Sequence, residues 1–205
     1  HYVPQYDKDA GSKTTFMYLK QMLRMGLHVT FIGDNFFQHE PYTTELQKLG
    51  ILVLYGPVYA QHWKDFIQEN AGVFDYYYLN RPHITIKYID FIRENTKGKI
   101  IYYGHDLHFL REYRQYELTG DKKDLESSEH WKRIEFDIYS KSDVIYVPGS
   151  YEQEYLSKLV HNVPVRNLPA YIYEQEKQNV NLDFDARQGL LFVGGFGHPP
   201  NESGV

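Results

Sequence analysis

The sequence predicts an α/β fold built on a doubly wound parallel sheet with helices on both faces. Short apolar runs alternate along the chain with longer segments whose apolar residues recur at helical spacing. The apolar runs are continuous rather than alternating, which is typical of parallel strands covered on both faces. Each run leads into a helix, and right-handed crossovers between such units build one doubly wound sheet.

The first half of the chain alternates regularly between helix and strand. Ser12–Met25 places Phe16, Leu19 and Met22 at helical spacing, and Gly26 follows as a helix end. The apolar run Val29–Ile32 predicts the first strand. Further strands are predicted at 51–55, 74–79 and 99–103, with helices at 41–49, 59–70 and 82–94 between the strands.

The second half is less regular. We predict a helix over 107–118 and a loop over the polar residues 119–128. A helix over 129–141 follows, with Trp131 and Ile138 among the residues on its apolar side. The remaining elements are predicted as strands at 144–147 and 165–168, with a helix at 151–160 between them.

The same patterns suggest a division into domains. Residues 1–170 form the first domain, the polar stretch 171–188 is a linker, and 189–205 begin a second domain with a strand at 190–193. Residues 1–13 end in a strand-to-helix loop that no strand precedes. We therefore expect a piece of a longer protein, in which the first strand of the first domain is missing.

Composition excludes several classes of function. A net charge of −5 argues against nucleic-acid binding, because little basic surface is available to neutralise phosphates. The absence of cysteine excludes disulfides and thiolate metal sites. No apolar run approaches the roughly 20 residues that a membrane-spanning helix needs.

Ligands of doubly wound sheets bind at the carboxyl ends of the strands. This rule brings the loops that follow the strands to one cleft. They are Gly11–Ser12, Gly33–Asn35, Arg81, Gly104–Asp106, Gly149–Ser150 and, across the linker, Gly194–His198.

Gly11 and Ser12 lie in a turn where backbone N–H groups favour an anionic or hydroxyl-rich ligand. The turn lacks the Walker spacing and the three-glycine dinucleotide fingerprint, and the alternative is that Ser12 is only a helix N-cap.

His105 directly follows a strand, so its ring should enter the cleft and contact a sugar hydroxyl or a phosphate. For His108 we favour a helix cap.

Metal sites receive little support from the sequence. The Asp-x-Asp triplets at 7–9 and 183–185 could hold a divalent cation, and His105, Asp106 and His108 could ligate zinc. Neither set has a clear further ligand cluster. The prediction is therefore no metal and no cofactor.

Four stretches, 3–12, 103–107, 142–152 and 191–201, together resemble the retaining glycosyltransferases of family 4, which have the GT-B fold. They occur in family order over essentially the whole chain, and the last looks like the start of the second domain in bacterial polysaccharide-building members. The resemblance implies two Rossmann-like domains facing a cleft. The N-terminal domain mainly binds the acceptor, and the C-terminal domain mainly binds the nucleotide sugar.

The resemblance also implies roles for individual residues. His105 would touch the transferred sugar as the catalytic candidate, and Gly11 and Ser12 would lie near the donor phosphates and the acceptor. The other binding candidates are Asp106, Ser150, Gly194, Gly195, Gly197 and His198, with the three glycines near the donor diphosphate. The family reaction retains the anomeric configuration without a metal. Its donor-binding basic residues and paired glutamates lie beyond residue 205, so the chain alone is expected to be inactive.

The expected function is therefore transfer of a sugar from a nucleotide-sugar donor to a glycan or lipid-linked acceptor in bacterial polysaccharide synthesis. The expected location is the cytoplasm, at the inner face of the membrane, although no clear basic amphipathic helix indicates membrane contact. Three alternatives stay open. They are a sugar-nucleotide epimerase of the same architecture, a non-catalytic sugar- or nucleotide-binding domain, and a metal-dependent hydrolase.

Overall fold

A computed structural model describes residues 1–172, 185 and 188–192. These residues form an α/β structure. Its strands are β1 Thr30–Ile32, β2 Leu52–Leu54, β3 Tyr76–Asn80, β4 Lys99–Tyr103, β5 Val144–Val147 and β6 Val165–Asn167. Its helices are α1 Ala10–Arg24, α2 Tyr42–Lys48, α3 Pro57–Glu69, α4 Pro82–Thr85, α5 Ile89–Asn95, α6 His108–Thr119, α7 Lys122–Lys141 and α8 Ser150–Ser157.

The strands are parallel, as predicted, but they form two sheets rather than one. One sheet pairs β1 with β2, and the other has the order β3-β4-β5-β6. No strand in the described part of the chain joins β1 to β3. Residues at the start of the chain pass the end of β1, where the Asn35 N–H donates to the His1 carbonyl at 3.2 Å.

Strand β4 has helices on both of its faces. Ile100 and Tyr102 point to one face and belong to a core shared with Ile138 of α7. Tyr103 points to the opposite face, where its ring lies 5.7 Å from that of Tyr18 in α1. Side chains alternate across a strand, so buried residues at neighbouring positions require a covering layer on each side. This arrangement is compatible with a Rossmann-like fold.

Two helix predictions were wrong in their boundaries. The polar stretch predicted as a loop is mostly helical, because α7 begins at Lys122. Gly120 ends α6 in the left-handed conformation, with φ of 70°, and the Asp121 carboxylate then accepts the Lys123 N–H at 2.9 Å as the cap of α7.

The helix predicted over 82–94 is divided into α4 and α5. Two residues between them contact the end of β1. Lys87 forms an ion pair with Asp34 at 2.8 Å, and the Tyr88 hydroxyl donates to Asp34 at 3.0 Å. These tertiary contacts coincide with the break, and they have no counterpart in the periodic pattern of the segment.

The chain divides into two compact units, His1–Ile172 and Tyr173–Val205. In the second unit, the described residues Leu190, Leu191 and Phe192 are exposed and not in a strand, unlike the predicted strand 190–193. Within the described residues, the structure contains no helix with the length and apolar character needed to span a bilayer.

Gly98 allows a close approach at the start of β4. A Cβ at Gly98 would lie 2.6 Å from the Phe74 carbonyl oxygen and 2.6 Å from the Tyr77 ring. We expect Gly98→Ala to lower the free energy of unfolding by about 1–3 kcal/mol because the backbone must shift. Gly72→Ala is the matched control, since nothing lies within 4 Å of its Cβ position. Urea unfolding that gives equal stabilities for the two variants would contradict this reading.

Candidate functional site

The N-terminus of α1 is capped by Asp9. Its carboxylate accepts the Ser12 N–H at 2.7 Å and the Ser12 hydroxyl at 2.6 Å. Burial acts to raise the pKa of Asp9, but these hydrogen bonds outweigh burial and hold the pKa below its ordinary value. The cap is therefore Asp9 and not Ser12, and Ser12 lies in the first turn with its amide and hydroxyl proton already used.

The end of β3 brings a cation beside this turn. Arg81 has φ of 66°, a backbone conformation that is uncommon outside glycine, and Pro82 follows it. A Cβ at Gly11 would lie 3.1 Å from Arg81 Nη2. Glycine at position 11 therefore leaves room for the guanidinium against the first turn of α1.

The end of β4 places His105 in the same region. The His105 ring packs edge-on against Tyr103, with centroids 4.9 Å apart. Its Nε2 is buried and has no hydrogen-bond partner among the described residues. Burial is the largest cause that lowers the pKa of His105, and the positive charge of Arg81 is the second. The resulting pKa is about 4. The ring is therefore neutral at physiological pH.

These three chain segments and residues 1–4 surround a cavity of about 190 Å³. Its lining is predominantly polar and consists of His1, Tyr2, Pro4, Asp9, Gly11, Ser12, Thr15, Asn80, Arg81 and His105. The Asn80 Oδ1 atom is also buried without a hydrogen-bond partner among the described residues. The volume is below the roughly 300–1,000 Å³ of pockets that enclose a drug-sized ligand, so it suits one group of a larger ligand.

A larger hollow, of about 680 Å³, lies at the opposite ends of β3 and β4. Several polar groups of its lining are already bonded. The Asn95 amide donates to Phe91 and accepts from Gln68, and the Thr96 hydroxyl donates to Ile92. Ligands of parallel sheets bind at the carboxyl ends of the strands. The smaller cavity with unpartnered polar atoms is therefore the candidate site.

The structure brings together three of the predicted site residues, Gly11, Ser12 and His105, and leaves others away from the cavity lining. Asp106 forms an ion pair with Arg111 in α6 and lies 3.2 Å from His108 Nδ1. Ser150 is the exposed first residue of α8. The remaining candidates, Gly194, Gly195, Gly197 and His198, lie outside the described residues.

The metal hypotheses gain no supporting geometry. In the part of the chain that the structure describes, no group of three or more histidine or carboxylate side chains is arranged to hold a metal ion. In the Asp-x-Asp triplet at 7–9, Asp7 accepts a hydrogen bond from the Tyr42 hydroxyl at 2.5 Å, and Asp9 caps α1. Asp183 lies outside the described residues.

A buried carboxylate at the start of α6 was missed from the sequence. Glu135 of α7 is completely buried and accepts the His108 N–H at 3.1 Å and the Phe109 N–H at 2.9 Å. It therefore caps α6, a role that the sequence had suggested for His108. Burial raises the pKa of Glu135 to about 7, against the opposing effect of the two N–H groups. Its position between Trp131 and Ile138 on the apolar side of the helix was the available signal.

The described residues therefore form an α/β structure of parallel strands with a polar cavity at the carboxyl ends of β3 and β4. Comparisons with protein-family models, with curated proteins and with solved structures found no match to the chain.

Proposed function

We propose that this chain is the acceptor-side domain of a retaining glycosyltransferase of the GT-B type. Its substrates would be a nucleotide-sugar donor and a glycan or lipid-linked acceptor, in polysaccharide synthesis on the cytoplasmic side of a membrane. The observation that carries the proposal is the cavity at the carboxyl ends of β3 and β4. There the neutral imidazole of His105 and the guanidinium of Arg81 lie beside the first turn of α1.

The chemistry of these groups suits a sugar. The unpartnered Nε2 of His105 can donate to a hydroxyl or accept from one, depending on the tautomer. A buried polar atom without a partner costs free energy, and a ligand hydroxyl that bonds to it removes the cost. The four stretches that resemble the family add independent support, since one of them contains Gly11 and Ser12 and another contains His105.

In the proposed reaction, the bond between the anomeric carbon and the donor phosphate breaks. A bond from that carbon to an acceptor oxygen forms on the same face, and the acceptor proton leaves with the nucleotide. Positive groups and helix N-termini near the diphosphate lower the barrier by stabilising the charge that develops there.

Nucleotide release tests the proposal. The full-length protein is incubated with a panel of nucleotide sugars, with and without a crude acceptor glycan, and with a chelator. We expect release from one donor to rise with acceptor and to survive the chelator. Interconversion of the sugar without acceptor would indicate an epimerase instead, and binding without turnover would indicate a binding domain. Loss of activity with the chelator would indicate a metal-dependent enzyme.

A further inference from the structure

One cation of the candidate cavity has no ionic partner. Among the described residues, the guanidinium of Arg81 forms no ion pair, whereas Lys87, Arg93 and Arg111 each pair with a carboxylate. Asp9 also lines the cavity, but its carboxylate is occupied by Ser12 and by the Tyr2 hydroxyl. The guanidinium of Arg81 therefore has donors available to an anionic ligand, and the Asp9 carboxylate adds a negative charge to the same lining.

The backbone of Arg81 is held at the end of β3. Arg81 follows β3 directly, its N–H donates to the Tyr103 carbonyl at 3.3 Å, and its positive φ directs the chain into α4. A non-glycine residue in this region of φ is strained, and such strain concentrates at functional sites. Gly11 has no Cβ, and a Cβ at that position would lie 3.1 Å from Arg81 Nη2.

Two neutral groups of the same lining are also unpartnered. Asn80 Oδ1 is a buried acceptor at the end of β3, and His105 Nε2 is a buried donor or acceptor at the end of β4. A guanidinium offers a planar fork of donors that matches the oxygens of a phosphate. The three groups together therefore complement a ligand that has a phosphate near sugar hydroxyls.

We propose that the cavity recognises a phosphorylated sugar, with Arg81 binding its phosphate and with Asn80 and His105 binding its hydroxyls. This inference rests on the proposed function and names the substrate class of that site. The phosphate has two possible sources, the diphosphate of the donor or a phosphate on the acceptor. Arg81 is in either case a specificity-determining residue that discriminates phosphorylated from neutral sugars.

Calorimetric titration of the full-length protein tests the proposal, with glucose 1-phosphate, uridine diphosphate, inorganic phosphate and glucose as probes. We expect Arg81→Gln to weaken binding of glucose 1-phosphate at least tenfold and to leave the weak binding of glucose unchanged. Arg81→Lys keeps the charge but loses the fork, so its affinity should be intermediate. Arg114→Gln is the control for net charge, because Arg114 is an exposed residue of α6, and it should bind like the wild type.

Gly11→Ala tests the geometry independently: its Cβ would lie 3.1 Å from Arg81 Nη2, so the guanidinium must shift by about a few tenths of an ångström, and we expect a small loss of phosphate affinity. Loss of uridine diphosphate binding in Arg81→Gln would identify the donor phosphate. Loss confined to glucose 1-phosphate would identify an acceptor phosphate. Equal affinity of wild type, Arg81→Gln and Gly11→Ala for every phosphorylated probe would overturn the proposal, and so would wild-type protein that binds none of them.

The two proposals fail separately. Acceptor-dependent nucleotide release that is insensitive to Arg81→Gln would leave the glycosyltransferase proposal standing and reject the phosphate subsite. Phosphate binding that depends on Arg81, in a protein that releases no nucleotide from any donor, would support the phosphate subsite and reject the glycosyltransferase proposal. If Arg81→Gln does not fold, as judged by circular dichroism, Arg81→Lys and Gly11→Ala decide the question.

Discussion

Replacing Glu135 by alanine is expected to lower the free energy of unfolding by about 3 kcal/mol at pH 5. The substitution leaves the N–H groups of His108 and Phe109 buried without an acceptor, and each such donor costs about 1–3 kcal/mol. Urea unfolding measures the difference. Glu129→Ala is the matched control on the same helix, since Glu129 is exposed, and a surface change of this kind should stay within about 0.5 kcal/mol.

The effect of Glu135 should depend on pH. Burial raises its pKa from 4.5 in the unfolded chain to about 7 in the folded protein, so the folded state binds the proton more tightly. The stabilisation from the protonated carboxyl is complete below pH 4.5, falls as the pH rises, and is lost above about pH 7. Partial or complete burial lowers the pKa values of His83, His105 and His108, which act in the opposite direction.

Glu135→Gln separates these contributions because glutamine does not titrate. We expect the stability of the wild type relative to Glu135→Gln to be highest near pH 5 and to decline towards pH 8. The contributions of His83 and His105 cancel in this difference, whereas His108, whose Nδ1 lies 3.9 Å from Glu135 Oε1, remains coupled to it. A difference that is constant from pH 5 to pH 8 would show that Glu135 titrates normally, and it would contradict the buried capping role. For Glu135→Ala, the same reasoning predicts a smaller loss at pH 8 than at pH 5.

Replacing His105 by alanine is expected to lower the kcat/KM of sugar transfer at least about 100-fold, the usual effect of removing one preorganised donor from a reacting centre. The Nε2 atom is buried in the cavity lining with no partner among the described residues, so it is available to bond the proposed ligand. His105→Gln retains a polar group near that position and should keep intermediate activity. His62→Ala is the control, because His62 is an exposed residue of α3 that pairs with Asp65.

The pH profile adds a second readout for His105. Since burial and the charge of Arg81 lower its pKa to about 4, the ring is already neutral at pH 6. Activity that requires the neutral ring should fall only as the pH approaches 4, and the wild-type profile should contain no inflection near pH 6.5 from this residue. An inflection near pH 6.5 that disappears in His105→Gln would contradict this assignment, as would full activity of His105→Ala.

The strands were the most predictable part of the fold. The predicted strands 99–103 and 144–147 coincide with β4 and β5, because a continuous apolar run buried on both faces has few alternatives. The start of α7 at Lys122 was not predictable from apolar periodicity. Its first turns are polar, and the cap at Asp121 is a local hydrogen bond rather than a hydrophobic signal. The separation of β1 and β2 from the other strands also depends on pairing, which periodicity does not encode.

The candidate site was predictable in its location but not in its detail. The rule for carboxyl ends of parallel strands brought Gly11, Ser12 and His105 to one region, and the structure places all three at one cavity. The same rule selected Arg81 only as a loop position. Two features of the folded backbone distinguish Arg81 from the other loop residues. They are its positive φ and the space beside Gly11. Glu135 lies on α7 and caps α6, so no local sequence motif predicts its role.

We expect a sugar-containing ligand to bind against His105 at the carboxyl ends of β3 and β4. The most direct test is the NMR spectrum of ¹⁵N-labelled histidine rings in the full-length protein, recorded during titration with the nucleotide sugar and acceptor that support transfer. We predict a saturable shift of the His105 ring signals, while the signals of exposed His62 stay unchanged. Saturable binding that leaves the His105 signals unmoved would contradict the claim and place the site elsewhere.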